Sequence, residues 1–340
     1  MIPIKGYATF DPLKHCLVGQ TFSSDFFKHI IKEPKISGPL QRIADETEED
    51  YLKLEKILKD AGVTTYRPEF NQSNYDGHYH GRPPVCPRDH FAVVGETLYA
   101  THPTNFYSSI LKQVDRKNVF LKNWDYENCL TSTAFIARCG KDLFWDRTLQ
   151  NTRNNKGSKE ECAERINTLK EKWTVEGFRV HETEGGHHSD GSFCIVKPGC
   201  IVSLYDIQDY KTEFPGWDVL YLPDQSWTGV DPFLKMKHKV GGRWWLKGEE
   251  HNDQLIQFVN TWLDDWVGYV EETVFDVNML SIDQNTIICN NYNKDVFEHF
   301  KKHKVEPILF NFRHRYFWDG GVHCITQDLY REGTMEDYLS

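Results

Sequence analysis

Apolar positions along the chain fall into a short pattern that returns. Over 47–61 (TEEDYLKLEKILKDA) Tyr51, Leu54, Leu58 and Ala61 share one helical face, and the spacing predicts a helix with Thr47 as its N-cap. Gly62 stops it, and VTTYRP reads as a strand. The same order is predicted at 158–182, where Ser158 and Glu161 form a capping box, Ile166, Leu169 and Trp173 face inward, Gly177 ends the helix and FRVHE follows. It is predicted again at 293–311, with Asn293 as cap, Val296, Phe297 and Phe300 inward and EPILFNF after them. Between these helix–strand pairs lie hairpin signals: FAVVGETLYA, AFIARCGKDLFW, FCIVKPGCIVSL and MLSIDQNTIICN, with PLKHCLVG near the N-terminus as a partial fifth. Five units of about 68 residues would fill the 340, and since none buries its own apolar face, they must share a core.

The least regular stretch is 206–272, rich in tryptophan, with a helix predicted near 250–267. Its GGRWWLKG element reads either as a ligand lid or as an aromatic patch packed on the core. No Pro/Ser/Gly linker divides the chain, so residues 1–340 are expected to form one domain. The formal charge of −10, with no Lys/Arg block, argues against nucleic-acid or anionic-membrane partners and for a small one. Nine scattered cysteines without a CxxC pair fit a reduced, cytoplasmic protein, and no apolar run has signal-peptide or membrane-span length.

Three chemically suggestive positions occupy one place in the repeat, at the mouth of an extended run: Asp89 in CPRDHFAVVG, His188 with Asp190 in EGGHHSDGSFCIV, and Cys324 in DGGVHCIT. With Ser189 extended, His188 and Asp190 would emerge on one face. Gly320 and Gly321 would let a backbone or flat ligand come close to Cys324, which opens a β-like run, Cys324-Ile325-Thr326. Singly, each has a bland reading: a buried thiol, a core histidine, turn or cap aspartates. Arranged about a common axis, they would meet. A thiol nucleophile, an imidazole and two carboxylates describe a pocket for a planar guanidinium. A metal reading of His78, His80, Cys86 and His90 lacks regular ligand spacing.

On these motifs, together with NMLSIDQNTIICNN and DGGVHCITQDLYREG, the chain resembles the amidinotransferases that include glycine amidinotransferase and inosamine-phosphate amidinotransferase, in the guanidine-modifying pentein superfamily. The resemblance implies an α/β fold, a five-bladed propeller of ββαβ-type units around a central pocket. It implies transfer of an amidino group from an arginine-like donor to an acceptor amine through a covalent amidino-cysteine. Cys324 would be the nucleophile, His188 the proton shuttle, and Asp89 and Asp190 the carboxylates on the guanidinium. No metal or organic cofactor is implied, and a homodimer is the candidate assembly. His323 matches the family's HC pair without an assigned role.

Two departures stand out. Where the family places a carboxylate toward its histidine, this chain has Thr131 or Ser132, with Asp125 or Glu127 as replacements from upstream; and where the glycine enzyme carries a carboxylate-binding arginine, YDIQDYKTEF offers only Lys211. The rival readings are a hydrolase of the same superfamily, with water in place of the amine, and a non-catalytic pentein-fold binding protein.

Overall fold

The computed structural model describes residues 1–70, 81–100, 105–120, 133–146, 159–183, 188–204, 206, 209–223 and 227–340. In them the hairpin and helix signals become five three-stranded sheets. The strands are β1 (Leu13–Val18), β2 (Thr64–Tyr66), β3 (Phe91–Val94), β4 (Thr97–Ala100), β5 (Val119–Phe120), β6 (Ile136–Cys139), β7 (Asp142–Asp146) and β8 (Arg179–Thr183) in the first part of the chain. There follow β9 (Phe193–Lys197), β10 (Cys200–Ser203), β11 (Asp218–Tyr221), β12 (Leu280–Asp283), β13 (Thr286–Cys289), β14 (Glu306–Leu309) and β15 (Thr326–Arg331).

Every sheet is built alike. Its middle strand pairs antiparallel with one neighbour and parallel with the other: β4 with β3 and β5, β7 with β6 and β8, β10 with β9 and β11, β13 with β12 and β14. An antiparallel pair needs only a tight turn, and Gly95, Gly140 and Gly199 supply it with φ of +59°, +64° and +81°. A parallel pair needs a crossover, which the helices provide. In the remaining sheet β1 pairs parallel with β2 and antiparallel with β15, so the C-terminal strand completes the N-terminal unit and closes the circle. This is the five-fold α/β pseudo-repeat expected of a pentein propeller.

The helix predicted at 293–311 forms at Lys294–Lys302, with Asn293 accepting from the amides of Asp295 and Val296 and with Val296 and Phe300 buried. That at 158–182 forms at Lys159–Val175, with Leu169 and Trp173 buried; its expected cap, Ser158, lies outside the described residues. The first helix differs from expectation. It runs from Pro34 to Asp60 with Glu33 as N-cap, because Pro34 at the first helical position has the right φ and needs no N–H partner. Thr47 is therefore no cap: it is buried mid-helix, and its hydroxyl accepts from Trp318 Nε1 at 2.9 Å.

The stretch 206–272 holds the fourth unit's missing parts. A single turn, Tyr210–Glu213, capped by Asp209, makes the crossover from β10 to β11, too short to show a helical period. The helix near 250–267 forms at Asp253–Trp262 and buries Leu255, Ile256 and Val259. Trp244 and Trp245 are buried against Phe317 and Tyr316, which makes GGRWWLKG a packed aromatic patch and not a lid. Among the described residues no helix is long and apolar enough to cross a membrane.

One charged cluster lies inside the circle. Asp328 on β15 is paired with Arg88 at 2.7 Å, with Arg331 at 2.6 Å and with Arg138, and all four are buried. Three guanidiniums hold its carboxyl well below the ordinary carboxylate range against the cost of burial. Removing one partner from such a cluster leaves buried charge uncompensated. Asp328→Asn should lose about 3–5 kcal/mol of stability, read by chemical denaturation; a loss below 1 kcal/mol would mean that the arginines find other partners.

Candidate active site

Just ahead of the first strand of each sheet the chain makes a short turn: Pro87–Asp89, Thr133–Phe135, Ser189–Gly191, Val274–Val277, and the turn at 321–325. The first four abut in sequence order, and the fifth closes the ring, since the Arg88 amide donates to the Cys324 carbonyl at 3.3 Å. Equivalent positions of the repeat thus converge, as the pattern required. The Arg88 side chain reaches inward to the carbonyls of Thr326 (3.1 Å) and His323 (3.4 Å) as well as to Asp328, which fixes the Asp89 turn against the Cys324 turn.

Cys324 does not open a strand. It lies in a turn in which the Ile325 amide donates to the Gly321 carbonyl at 3.0 Å, and β15 starts only at Thr326. The two glycines are demanded by crowding: a Cβ on Gly320 would stand 2.7 Å from Cys86 Sγ, and one on Gly321 would stand 2.5 Å from Asn278 Oδ1. Nor is the 188–191 segment extended. Ser189–Gly191 is a 3-10 turn whose Ser189 hydroxyl donates to the Phe135 carbonyl at 2.6 Å, so His188 and Asp190 reach the site by the curl of this turn.

Asp190 is the hub. Its Oδ2 accepts from the Cys324 thiol at 3.3 Å and lies 2.7 Å from His323 Nδ1, while Oδ1 is buried and makes no hydrogen bond among the described residues. Burial pushes the Asp190 carboxyl up, but the His323 contact, with His188 and Arg88 behind it, outweighs this and brings it to about 2. The same burial, with the charge of Asp190, drives the Cys324 thiol well above its usual value, opposed by Asn278. At rest, then, this sulfur is a thiol donating to a carboxylate.

Two residues in this arrangement were not assigned roles from the sequence. Asn278, at the repeat-equivalent place ahead of β12, donates from Nδ2 to Cys324 Sγ at 3.0 Å and to the Asp190 carbonyl at 3.2 Å. Its Oδ1 accepts from the amides of His323 (3.0 Å) and Cys324 (3.4 Å), so one amide group sets the nucleophile's turn. His323 is the second, through Asp190. The position of Asn278 in the repeat was the available signal; for His323 it was the HC pair it forms with Cys324, which gave no role because its partner is 133 residues away.

His188 packs edge-on to Phe135, with ring centroids 5.0 Å apart, and its Nδ1 lies 3.8 Å from Asp89 Oδ1. Asp89 also faces Arg82 at 3.6 Å, and burial raises its carboxyl. A cavity of about 250 Å³ opens here, lined by Cys324, His188, Asp190 and Asp319 and, from the divergent segment, by Tyr269 and Glu271. Three carboxylates on one small cavity suit a cation. Thr131, Ser132, Asp125 and Glu127 lie outside the described residues, as do His78 and His80; Lys211 is exposed and does not line the cavity. Cys86, from the set weighed as metal ligands, is buried and accepts from Arg82 Nη2 at 3.1 Å.

No family model matches the chain. In sequence it is similar to L-arginine:L-lysine amidinotransferase of Pseudomonas savastanoi pv. phaseolicola, 21% identical with 99% of this chain and 97% of the relative covered. It is likewise similar to the mitochondrial glycine amidinotransferase of Xenopus tropicalis, 21% identical over 99% of this chain and 85% of that one. Among solved structures, an amidinotransferase of the saxitoxin biosynthetic pathway from Microseira wollei shares the fold, with a TM-score of 0.68, 17% identity and 99% of each chain covered. Over nearly its whole length this chain is thus similar in sequence to amidinotransferases and shares the fold of one of known structure.

Proposed function

We propose that the protein is an amidinotransferase that moves an amidino group from an arginine-like guanidine to an amine through Cys324. The observation that carries this reading is the convergence of a buried thiol, a histidine and carboxylates on one cavity. In the resting state Cys324 keeps its proton and donates it in a hydrogen bond to the Asp190 carboxylate. A guanidinium entering the cavity brings positive charge beside both groups, which favours thiolate over thiol, and the thiol proton passes to His188. The sulfur then attacks the guanidinium carbon, forming a C–S bond. His188 delivers a proton to the departing amine as the C–N bond breaks, and the amidino group stays on sulfur. An acceptor amine takes the amine's place, His188 removes its proton, and the C–S bond breaks to regenerate Cys324. The covalent intermediate divides one hard displacement into two easier ones.

Asp190 holds the guanidinium, and Asp89, expected to share that part but not among the residues lining the cavity, does what the family's missing carboxylate would do, since it is a carboxylate within 4 Å of the His188 ring. Asn278 is a positioning residue for the thiolate. We take residues 1–340 as one working unit, and the seven free thiols among the described residues suit a reducing cytoplasm.

The test is product analysis. Incubated with arginine and a panel of amines, the protein should yield ornithine and a new guanidino compound in equal amounts. Citrulline, or ornithine with ammonia, would replace this reading by the hydrolase.

A further inference from the structure

A second cluster of chemically active side chains stands apart from the cavity of Cys324, at the edge where the fourth sheet meets the helix of the fifth unit. Cys200 on β10 and Asp218 on β11 are direct cross-strand partners. His299 and His303 lie one helical turn apart at the end of the helix Lys294–Lys302, and that spacing puts both rings on one face. The ligand atoms of Cys200, His299 and His303 all lie within 4.8 Å of one another. Asp218 Oδ2 sits between the rings, 3.7 Å from His299 Nδ1 and 2.7 Å from His303 Nε2. None of the four lines the cavity of Cys324.

The bland reading is a surface ion network, because Lys302 also reaches Asp218, at 2.6 Å. Such a network contributes about 0–1 kcal/mol and has no use for a thiol. It does not account for His299, a buried imidazole set within 4.8 Å of a thiol and a second imidazole. It also leaves unexplained a buried cysteine whose sulfur faces two imidazoles.

We propose that Cys200, His299, His303 and Asp218 bind a divalent, borderline-soft cation of the zinc class, clamping the fourth sheet to the helix of the fifth unit. One thiolate, two imidazoles and a carboxylate make a four-coordinate set of that kind. On binding, the Cys200 S–H bond breaks, the proton passes to solvent and a metal–sulfur bond forms; thiolate and carboxylate together balance the two positive charges. Ligation of His299 through Nδ1 puts its proton on Nε2, towards the backbone of Ile201, as the outer nitrogen of a ligating histidine commonly is directed. Lys302 leaves Asp218 and turns into water, which its exposed side chain permits. Asp218 and His303 are partly exposed, so the ion enters from solvent without opening the core.

The test uses the Cys324→Ala protein, which removes the thiol of the active-site cavity as a competing ligand. Reduced and freed of metal, it should bind one equivalent of Co²⁺ with thiolate-to-cobalt charge-transfer absorption and the intense visible bands of a tetrahedral centre, and Zn²⁺ should displace them. Cys200→Ser should abolish the charge-transfer band. Partners that only orient a ligand cost about 10–100-fold in affinity, so His303→Gln, which removes a ligand, should weaken binding by more than about 100-fold. Absence of the band in the Cys324→Ala protein, or its persistence in Cys200→Ser, overturns the proposal. Should Cys200→Ser fail to fold, an undiminished affinity in His303→Gln, at a partly exposed helix end, overturns it equally.

Discussion

Cys324→Ala should reduce amidino transfer by at least roughly 10⁴-fold while leaving the fold and its unfolding transition intact. Removing the nucleophile of a covalent mechanism deletes both half-reactions, and the groups left behind supply only binding and orientation. The side chain lost is small, so little packing goes with it. Cys139→Ala is the matching control: that thiol is likewise buried, in the third sheet, and burial pushes it up as well, but it is not among the residues lining the cavity. Its replacement should lower stability and spare kcat. Comparable turnover in the two variants would remove Cys324 from the chemistry.

Asp190→Asn should have the second largest effect, and two of its consequences have opposite signs. Neutralising a buried carboxylate that faces a cation costs about 2–5 kcal/mol, or roughly 30- to 4,000-fold in kcat/KM. Yet after burial it is the charge of Asp190 that most raises the Cys324 thiol. Without that charge the folded thiol pKa falls, a larger fraction is thiolate at a given pH, and alkylation of Cys324 in the free protein should become faster near neutral pH. A variant that turns over more slowly and is alkylated more quickly separates the electrostatic role from damage to the site. If both rates fall together, Asp190 acts by shaping the turn; if kcat/KM is unchanged, the guanidinium is held elsewhere.

Much of this architecture was legible in the sequence because its units advertise themselves locally. The hairpins around Gly95, Gly140 and Gly199 need a residue that tolerates positive φ, and the helix at 294–302 carries its own cap in Asn293. The convergence of Asp89, His188, Asp190 and Cys324 followed from their common place in the repeat. What failed to show depends on contacts between distant residues. Thr47 has the composition of a cap, but its hydroxyl is occupied by Trp318, 271 residues away. The fourth unit was obscured because its crossover shrank to Tyr210–Glu213, below the length at which an apolar period exists. The extended reading of 188–190 failed because Gly191 and the Ser189 bond to Phe135 favour a tight turn. Asn278 and His323 draw their parts in the site wholly from long-range geometry.

Asp89 shows how one site can reuse its groups. Its carboxylate stands beside His188 and also faces Arg82, so the histidine has an acidic neighbour without the one expected near Thr131 or Ser132. Tyr269 and Glu271, from the Trp-rich stretch 206–272, complete the lining of the cavity.

The central claim is that an amidino group rests on Cys324 between donor and acceptor. The most direct measurement is mass spectrometry of the protein quenched during reaction with arginine, before and after an amine is added. The account predicts the mass of one amidino group on the peptide that holds Cys324, on no other cysteine, and its disappearance as the amine is converted to a guanidine. An unmodified Cys324 peptide in protein that is turning over, or an adduct on a different cysteine, would contradict it.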